Sequence, residues 1–366
     1  MKAIYIHIPF CDKICSYCDF CKVLYNEKLV DKYLDCLEKE IKSNYVGEVI
    51  TTLYIGGGTP SSLSILQLER LFKITDIFKK SKDIEFTIEA NFENTTKEKI
   101  DLFKKYGVNR ISFGLESTNK KHLEFLKREF DKRQVITIVN YSKSVGIDNI
   151  NIDLIYALKD QTIEEIKEDL DFIIDLDIKH ISTYSLIIEK NTLLSVLGTK
   201  NISEDLDLEM YKFICKYLKD NNFWHYEISN FCKEGYFSRH NSVYWKNLEY
   251  YGFGLGASSY IGNKRITNTR SFNKYFSKEY ISSVEEVSYK DLMEYEVMLG
   301  LRLSEGIDKN KFKNRFGKRI DECYNYDELI DNGFIIDDGD NLFIPEEKFY
   351  VSNEIIIKFI EGEKHE

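Results

Sequence analysis

The sequence predicts an α/β fold, a full or partial (β/α) TIM-type barrel of six or seven βα units followed by a small C-terminal helical, winged-helix-like domain. Three observations predict it. Apolar, β-branched runs recur along the first two-thirds of the chain, and segments of helical period with charged outer faces separate most of them. The chemically distinctive residues, in turn, fall just after those runs. At 366 residues, 43% hydrophobic and 31% charged, the chain has the length and composition of a folded protein of two or three domains at most.

The strand-like runs are residues 3–8, 52–55, 85–90, 110–113, 150–155, 180–185 and 224–228; the helical segments are 28–42, 63–79, 97–105, 162–174 and 204–219. Short strands alternating with longer helices build a parallel sheet whose chemistry collects at the carboxyl ends of the strands. The motifs obey that rule. Cys11 to Cys21 follow the first run, Gly56–Pro60 the second, Glu89 closes the third, Glu116 follows the fourth, and Asp153 lies near the end of the fifth. A boundary falls near residues 277–288, after the glycine-rich stretch 252–256. Beyond it, 290–302 and 327–332 read as helices, 333–336 and 342–344 as a hairpin around Asp338-Gly339-Asp340, and 353–359 as a closing helix. The expected division is a barrel core at 1–235, a connecting segment at 236–285 and a C-terminal domain at 286–366.

Charge narrows the function classes. Lys plus Arg is 51 and Asp plus Glu is 61, a net charge of −10, which opposes sequence-independent binding to phosphate backbones, so no nucleic-acid partner is expected. No window approaches the ~20 apolar residues of a membrane span, and Met1 to Phe10 has no signal-peptide pattern. The expected location is the cytoplasm, where thiols stay reduced. Cys36, Cys215, Cys232 and Cys323 are scattered and read as small buried hydrophobes. Cys11, Cys15, Cys18 and Cys21 crowd together, which in a reducing compartment suggests metal rather than disulfide.

Cys11, Cys15 and Cys18 carry the spacing Cys-x3-Cys-x2-Cys. Three thiolates can hold three irons of a [4Fe-4S] cube and leave the fourth open to a cofactor or substrate. Zinc usually takes two short hooks separated in sequence. No second hook exists, since His7, His122, His180, His225, His240 and His365 form no ligand pair. The motif resembles the signature of radical S-adenosylmethionine (SAM) enzymes, and His7-Ile8-Pro9 before it is similar to the HemN/HemW group. The resemblance extends through Gly56–Pro60, Arg110–Gly114, Asn151–Tyr156, His240-Asn-x-x-Tyr244-Trp245 and Gly252–Ala257. The oxidase branch carries a further cysteine two residues after the third, where this chain has Phe20; Cys18-Asp19-Phe20 is similar to the heme-chaperone (HemW) branch. Cys21, one residue later, reads as an ordinary thiol or as an accessory heme or iron contact.

The resemblance implies a SAM site. Gly57, Gly58 and Thr59 resemble the contact to the SAM amino group, and a glycine turn lets backbone approach a zwitterion closely. Glu89 and Asp153 are implied ribose-side contacts and Arg128 the cation for the carboxylate. Glu116 stands where the family more often has glutamine, and Ala157-Leu158-Lys159 replaces its usual Gly-Leu-Pro. Tyr5 and Tyr17 either shield the cluster and touch SAM or simply pack. The resemblance also implies heme binding, with His240 as the axial ligand beside Tyr244 and Trp245; the plain alternative is a histidine that caps a helix or bonds a carbonyl.

Two functions follow. One is a heme chaperone that holds a [4Fe-4S] cluster and SAM and delivers heme to an acceptor protein; a homodimer is compatible with it. The other is an oxygen-independent enzyme that acts on coproporphyrinogen III or another substrate through a 5′-deoxyadenosyl radical. Phe20 favours the chaperone. In either case reconstituted protein is expected to bind about four irons, with Cys11→Ala, Cys15→Ala and Cys18→Ala each abolishing the cluster and Cys21→Ala sparing it. Iron and sulfide analysis checks this, and a cluster lost in Cys21→Ala but kept in a triad variant would overturn the ligand assignment.

Overall fold

Six parallel strands follow one another across the sheet in chain order: β1 (Lys2–Ile8), β2 (Val49–Gly57), β3 (Lys79–Asn91), β4 (Arg110–Glu116), β5 (Asn149–Tyr156) and β6 (His180–Ser185). The computed structural model describes residues 2–364. Helices Glu27–Asn44, Ile65–Thr75, Lys97–Lys105, Lys132–Ser144 and Ile163–Asp175 lie between successive strands. Each starts where a side chain takes up an otherwise orphaned N–H: Asn26, Ser64, Thr96, Asp131 and Thr162 cap them, Ser64 and Thr162 with reciprocal capping boxes.

The strands alternate with period two. Ile4, Ile6, Ile8, Leu53, Ile55, Ile88, Ile111, Phe113, Ile150 and Ile152 form a buried apolar set. The intervening residues are polar and line up across the strands. Tyr5, Tyr54, Thr87, Arg110 and Asn149 are lateral partners at one level. Toward the carboxyl ends come Glu89, Ser112, Asn151 and His180, then Asn91, Gly114, Asp153 and Ser182.

A further parallel strand, Tyr250–Phe253, pairs with the other edge of β1 and continues into the antiparallel strands Ser258–Ile261 and Lys264–Asn268. The sequence places the seventh run at 224–228 instead. There the structure has a hairpin, Trp224–Glu227 antiparallel to Asn230–Cys232, because the intervening Ile228 and Ser229 are far too few to make a crossover.

The chain divides into two units, residues up to Met210 together with Glu249–Glu285, and Tyr211–Leu248 together with Glu286 onward. The stretch 236–285, set apart in the sequence, is thus shared between them, since the pairing of Tyr250–Phe253 with β1 draws its latter part into the first unit. In the second unit Ile307–Asp308, Asn341–Phe343 and Ile336–Asp337 form a small antiparallel sheet beside helices Tyr289–Gly300, Lys309–Phe316 and Ser352–Glu361, the expected helical domain with its hairpin. Among the described residues no helix is long and apolar enough to cross a membrane.

One buried carboxylate ties the first helix to the late strands. Glu40, only 3% exposed, accepts from Gly254 N (2.9 Å), the Asn268 side chain (2.6 Å) and the Tyr275 hydroxyl (2.6 Å). Removing it orphans buried donors. Glu40→Ala is therefore expected to destabilise the fold by about 3 kcal/mol, read from the shift of the urea-unfolding midpoint; a change under about 0.5 kcal/mol would refute the role.

Candidate functional site

The cysteine loop leaves the carboxyl end of β1 and is closed at its base by backbone. Phe10–Cys11 pairs in parallel with Val23–Leu24, and Val23 and Tyr25 donate to the carbonyls of Pro9 (2.7 Å) and Cys11 (2.8 Å). The glycine turn after β2 is fastened to the same segment: Gly58 N donates to Ile8 O and Thr59 N to Phe10 O, both at 2.8 Å. Gly57 has φ +120°, and a Cβ there would meet the His7 ring at 2.7 Å. At Gly58 a Cβ would meet Cys11 Sγ and the Phe10 backbone at 2.9 Å, so only glycine permits this approach. His7 bridges the Tyr5 hydroxyl (Nδ1, 2.9 Å) and the Cys21 carbonyl (Nε2, 2.7 Å), holding the far side of the loop. Because a carbonyl only accepts, Nε2 carries the proton.

The three motif thiols share one neighbourhood. The charge of Cys18 acts on Cys11 and Cys15, and Cys11 also acts on Cys15; Cys21 feels Arg270 and Lys22 instead. Burial pushes the Cys11 thiol up to about 11 and the Cys15 thiol up to about 12, so loading a metal there must release protons. Among the described residues no three His, Cys, Asp or Glu side chains gather closely enough for a single ion. A four-iron cube is wider than one ion and needs its cysteines further apart. Three mutually interacting thiols under a glycine turn that admits no side chain fit such a group, and the scattered cysteines do not join them. His365 lies outside the described residues.

The carboxylates close the edge. Glu89 accepts from Gly57 N and the Tyr54 hydroxyl, both at 2.8 Å, and Asp153 accepts from Asn151 at 2.8 Å. Glu116, in the left-handed region at φ +61°, turns back to accept from the Tyr17 hydroxyl (2.9 Å) and Arg128 Nη1 (2.7 Å) through Oε1. Its Oε2 is buried without a hydrogen-bond partner, an open acceptor in the region where a ribose or amino group is expected. Burial pushes both Glu89 and Glu116 up to about 7, against the opposing pull of Arg128 on Glu116.

Arg128 stands beside Glu116 at the carboxyl edge. It is buried, but its guanidinium is bidentate to Glu93 (2.6 and 2.9 Å) and also bonds Glu116 Oε1 and Gly114 O. Four of its five donors are in use. As it stands Arg128 offers a ligand carboxylate no open pair of N–H groups. Glu93, which sequence reasoning missed, follows β3 by two residues and was marked only by that position. It lines a cavity of about 320 Å³ with Asp12, Lys13, Cys15, Asn91 and Arg128, whose mixed charges suit a zwitterion.

His240 lies in the second unit, on helix Arg239–Trp245. Its ring is 1% exposed and Nε2 is bonded to the Tyr244 hydroxyl at 2.8 Å. That nitrogen is not open to iron in this structure. Trp245 Nε1 is buried without a partner, and Arg302 lies over the Trp245 ring.

Comparison with known proteins places this geometry among relatives. Residues 5–173 match the family model of the radical SAM superfamily, and residues 287–349 that of the HemN C-terminal domain. The chain is 38% identical to the heme chaperone HemW of Lactococcus lactis over 98% of its own length and 97% of that protein's. It is 34% identical to the heme chaperone HemW of Bacillus subtilis, covering 98% and 99%. The solved structure of HemN, the coproporphyrinogen III oxidase of Escherichia coli, superposes with a TM-score of 0.86 over 98% of this chain and 90% of that one; at 21% identity this is likeness of fold.

The raised Glu89 carboxyl has a measurable consequence. Below its usual value of 4.5 it is protonated folded or unfolded; above about 7 it is ionised in both, and the folded state bears the full burial cost. Glu89→Gln removes that cost. Its stability relative to wild type is expected to rise by about 2 kcal/mol as pH increases from ~4.5 to ~7, checked by paired denaturant titrations of cluster-free protein. A pH-independent difference would rule the shift out.

Proposed function

Because this chain belongs to the HemW family of radical SAM proteins, we propose that it is a heme chaperone, holding a [4Fe-4S] cluster on Cys11, Cys15 and Cys18 with SAM at the carboxyl edge of the sheet, and passing heme to an acceptor protein in the cytoplasm. The observation that carries the reading is Phe20, which stands where the oxidase branch has a cysteine and is 61% exposed, within a chain similar to heme chaperones along nearly its whole length.

When bound, the cluster supplies a one-electron donor with one iron free of cysteine, and SAM a sulfonium that an electron can cleave. The chain's own residues orient and shield these groups. Gly57, Gly58 and Thr59 present backbone beside Cys11; Glu116 Oε2 offers an acceptor; Tyr17 holds Glu116 in place. Tyr5 acts at one remove, through His7 and the Cys21 carbonyl. The intact SAM-side edge keeps a radical enzyme as the second reading, and decarboxylation of coproporphyrinogen III by cluster-loaded protein would establish it.

Heme ligation by His240 requires the Tyr244 hydroxyl to move off Nε2. Purified protein is expected to bind heme without turning over coproporphyrinogen III. His240→Ala should shift the heme absorption or lower its occupancy. Tyr244→Phe, which frees Nε2 of a hydrogen bond worth about 1 kcal/mol, should tighten heme binding about fivefold. Heme bound equally by wild type, His240→Ala and Tyr244→Phe would remove the ligand, and absence of heme binding would remove the chaperone.

A further inference from the structure

The cavity beside Cys15 is crossed by side chains that reach over from the cysteine loop. Its inner wall carries the buried Arg128, whereas Asp12, Lys13 and Glu129 are exposed and form its outer rim. Two links span that rim. Lys13 Nζ donates to the Glu129 carboxylate, and Asn94 Nδ2 donates to Asp12 Oδ2 at 2.8 Å. Both start between Cys11 and Cys15 and end elsewhere in the fold, on the segment after β3 and on the one after helix Lys120–Leu126. The far ends are fixed from behind. Glu129 N donates to Glu93 Oε1 (3.3 Å), the same carboxylate that Arg128 grips. Asn94 O accepts from Lys99 Nζ (2.8 Å), and its side chain accepts from Ser61. The links are not what closes the cysteine loop, since the backbone bonds to Pro9 and Cys11 already do so at its base. An exposed ion pair is also weak and screened by salt, so it opens readily.

We propose that the Lys13–Glu129 ion pair, seconded by Asp12–Asn94, is an electrostatic strap across the mouth of this cavity that sets how fast SAM and the iron held on Cys15 exchange with solvent. The proposal rests on the reading that SAM occupies this edge. Lys13 and Glu129 act as positioning residues: each neutralises the other, and together they hold the Cys11–Cys15 segment against a rim that Glu93 keeps in place. Opening the strap frees Asp12 and Lys13 to swing outward while the base of the loop stays paired, which clears the way to Cys15 and the inner wall without unfolding either. Passage is eased in both directions, so entry and exit quicken together.

The test uses the full chain loaded with its cluster, as wild type, Lys13→Met, Glu129→Gln and the exchanged pair Lys13→Glu with Glu129→Lys. Two rates are read: SAM binding and release by stopped flow, and loss of iron to a chelator. Removing an exposed ion pair is expected to raise SAM association and dissociation together by about threefold, with Kd unchanged, and to speed iron loss by a similar factor. The exchanged pair should return both rates to wild type, which a purely steric role for either side chain would not do. In salt of about 1 M, where screening acts within about 3 Å, wild type should reach the rates of the single variants while theirs stay put. Single variants as slow as wild type in iron loss would overturn the proposal. So would a weakened Kd with unchanged association, the mark of direct contact with the ligand. A protein that binds no SAM defeats the reading of the cavity, and iron loss then decides the strap by itself.

Discussion

Two backbone hydrogen bonds, from Gly58 to Ile8 and from Thr59 to Phe10, join the glycine turn after β2 to the start of the cysteine loop after β1. Both loops emerge from neighbouring strands whose register sets His7 opposite Gly56 and Ile8 opposite Gly57. The contact is possible because neither Gly57 nor Gly58 has a Cβ to strike His7 or Cys11. Everything proposed for the site depends on it. A residue of any size at either glycine would push the turn off the cysteine loop, and a group seated on Cys11 would lose the wall that the turn forms beside it.

The second constraint is charge without water. Glu89, Glu116 and Asp153 gather at one edge, where burial favours their neutral forms. The protein answers locally: Tyr54 and Gly57 donate to Glu89, Arg128 and Tyr17 to Glu116, Asn151 to Asp153. Arg128 is engaged in compensating Glu116 and Glu93.

Much of the parallel sheet was legible in the chain. β1, β4, β5 and β6 are short β-branched runs, and the period-two pattern survives because one face packs on helices. The sequence marks only 85–90 of β3 (Lys79–Asn91), because Lys79-Lys80-Ser81-Lys82-Asp83 is hydrophilic and its start becomes strand by pairing with Val49 and Ile50. The expected segments do not include helix Lys132–Ser144, and 63–79 exceeds the helix Ile65–Thr75, whose start the Ser64–Gln67 capping box marks. Tyr250–Phe253 enters a glycine-rich stretch, and its status as a strand comes from pairing with β1 on one side and Ser258–Ile261 on the other.

The sequence by itself determined the cysteine spacing, the glycine turn beside it, the order of βα units and the absence of a thiol at Phe20. Each is a local pattern, written in neighbouring residues. Only the tertiary structure decided that Arg128 is held by Glu93 and Glu116 and that His240 is capped by Tyr244. Such outcomes depend on which side chains meet across strands and turns, and a guanidinium or imidazole has the same formula whether its hydrogen bonds are filled or open.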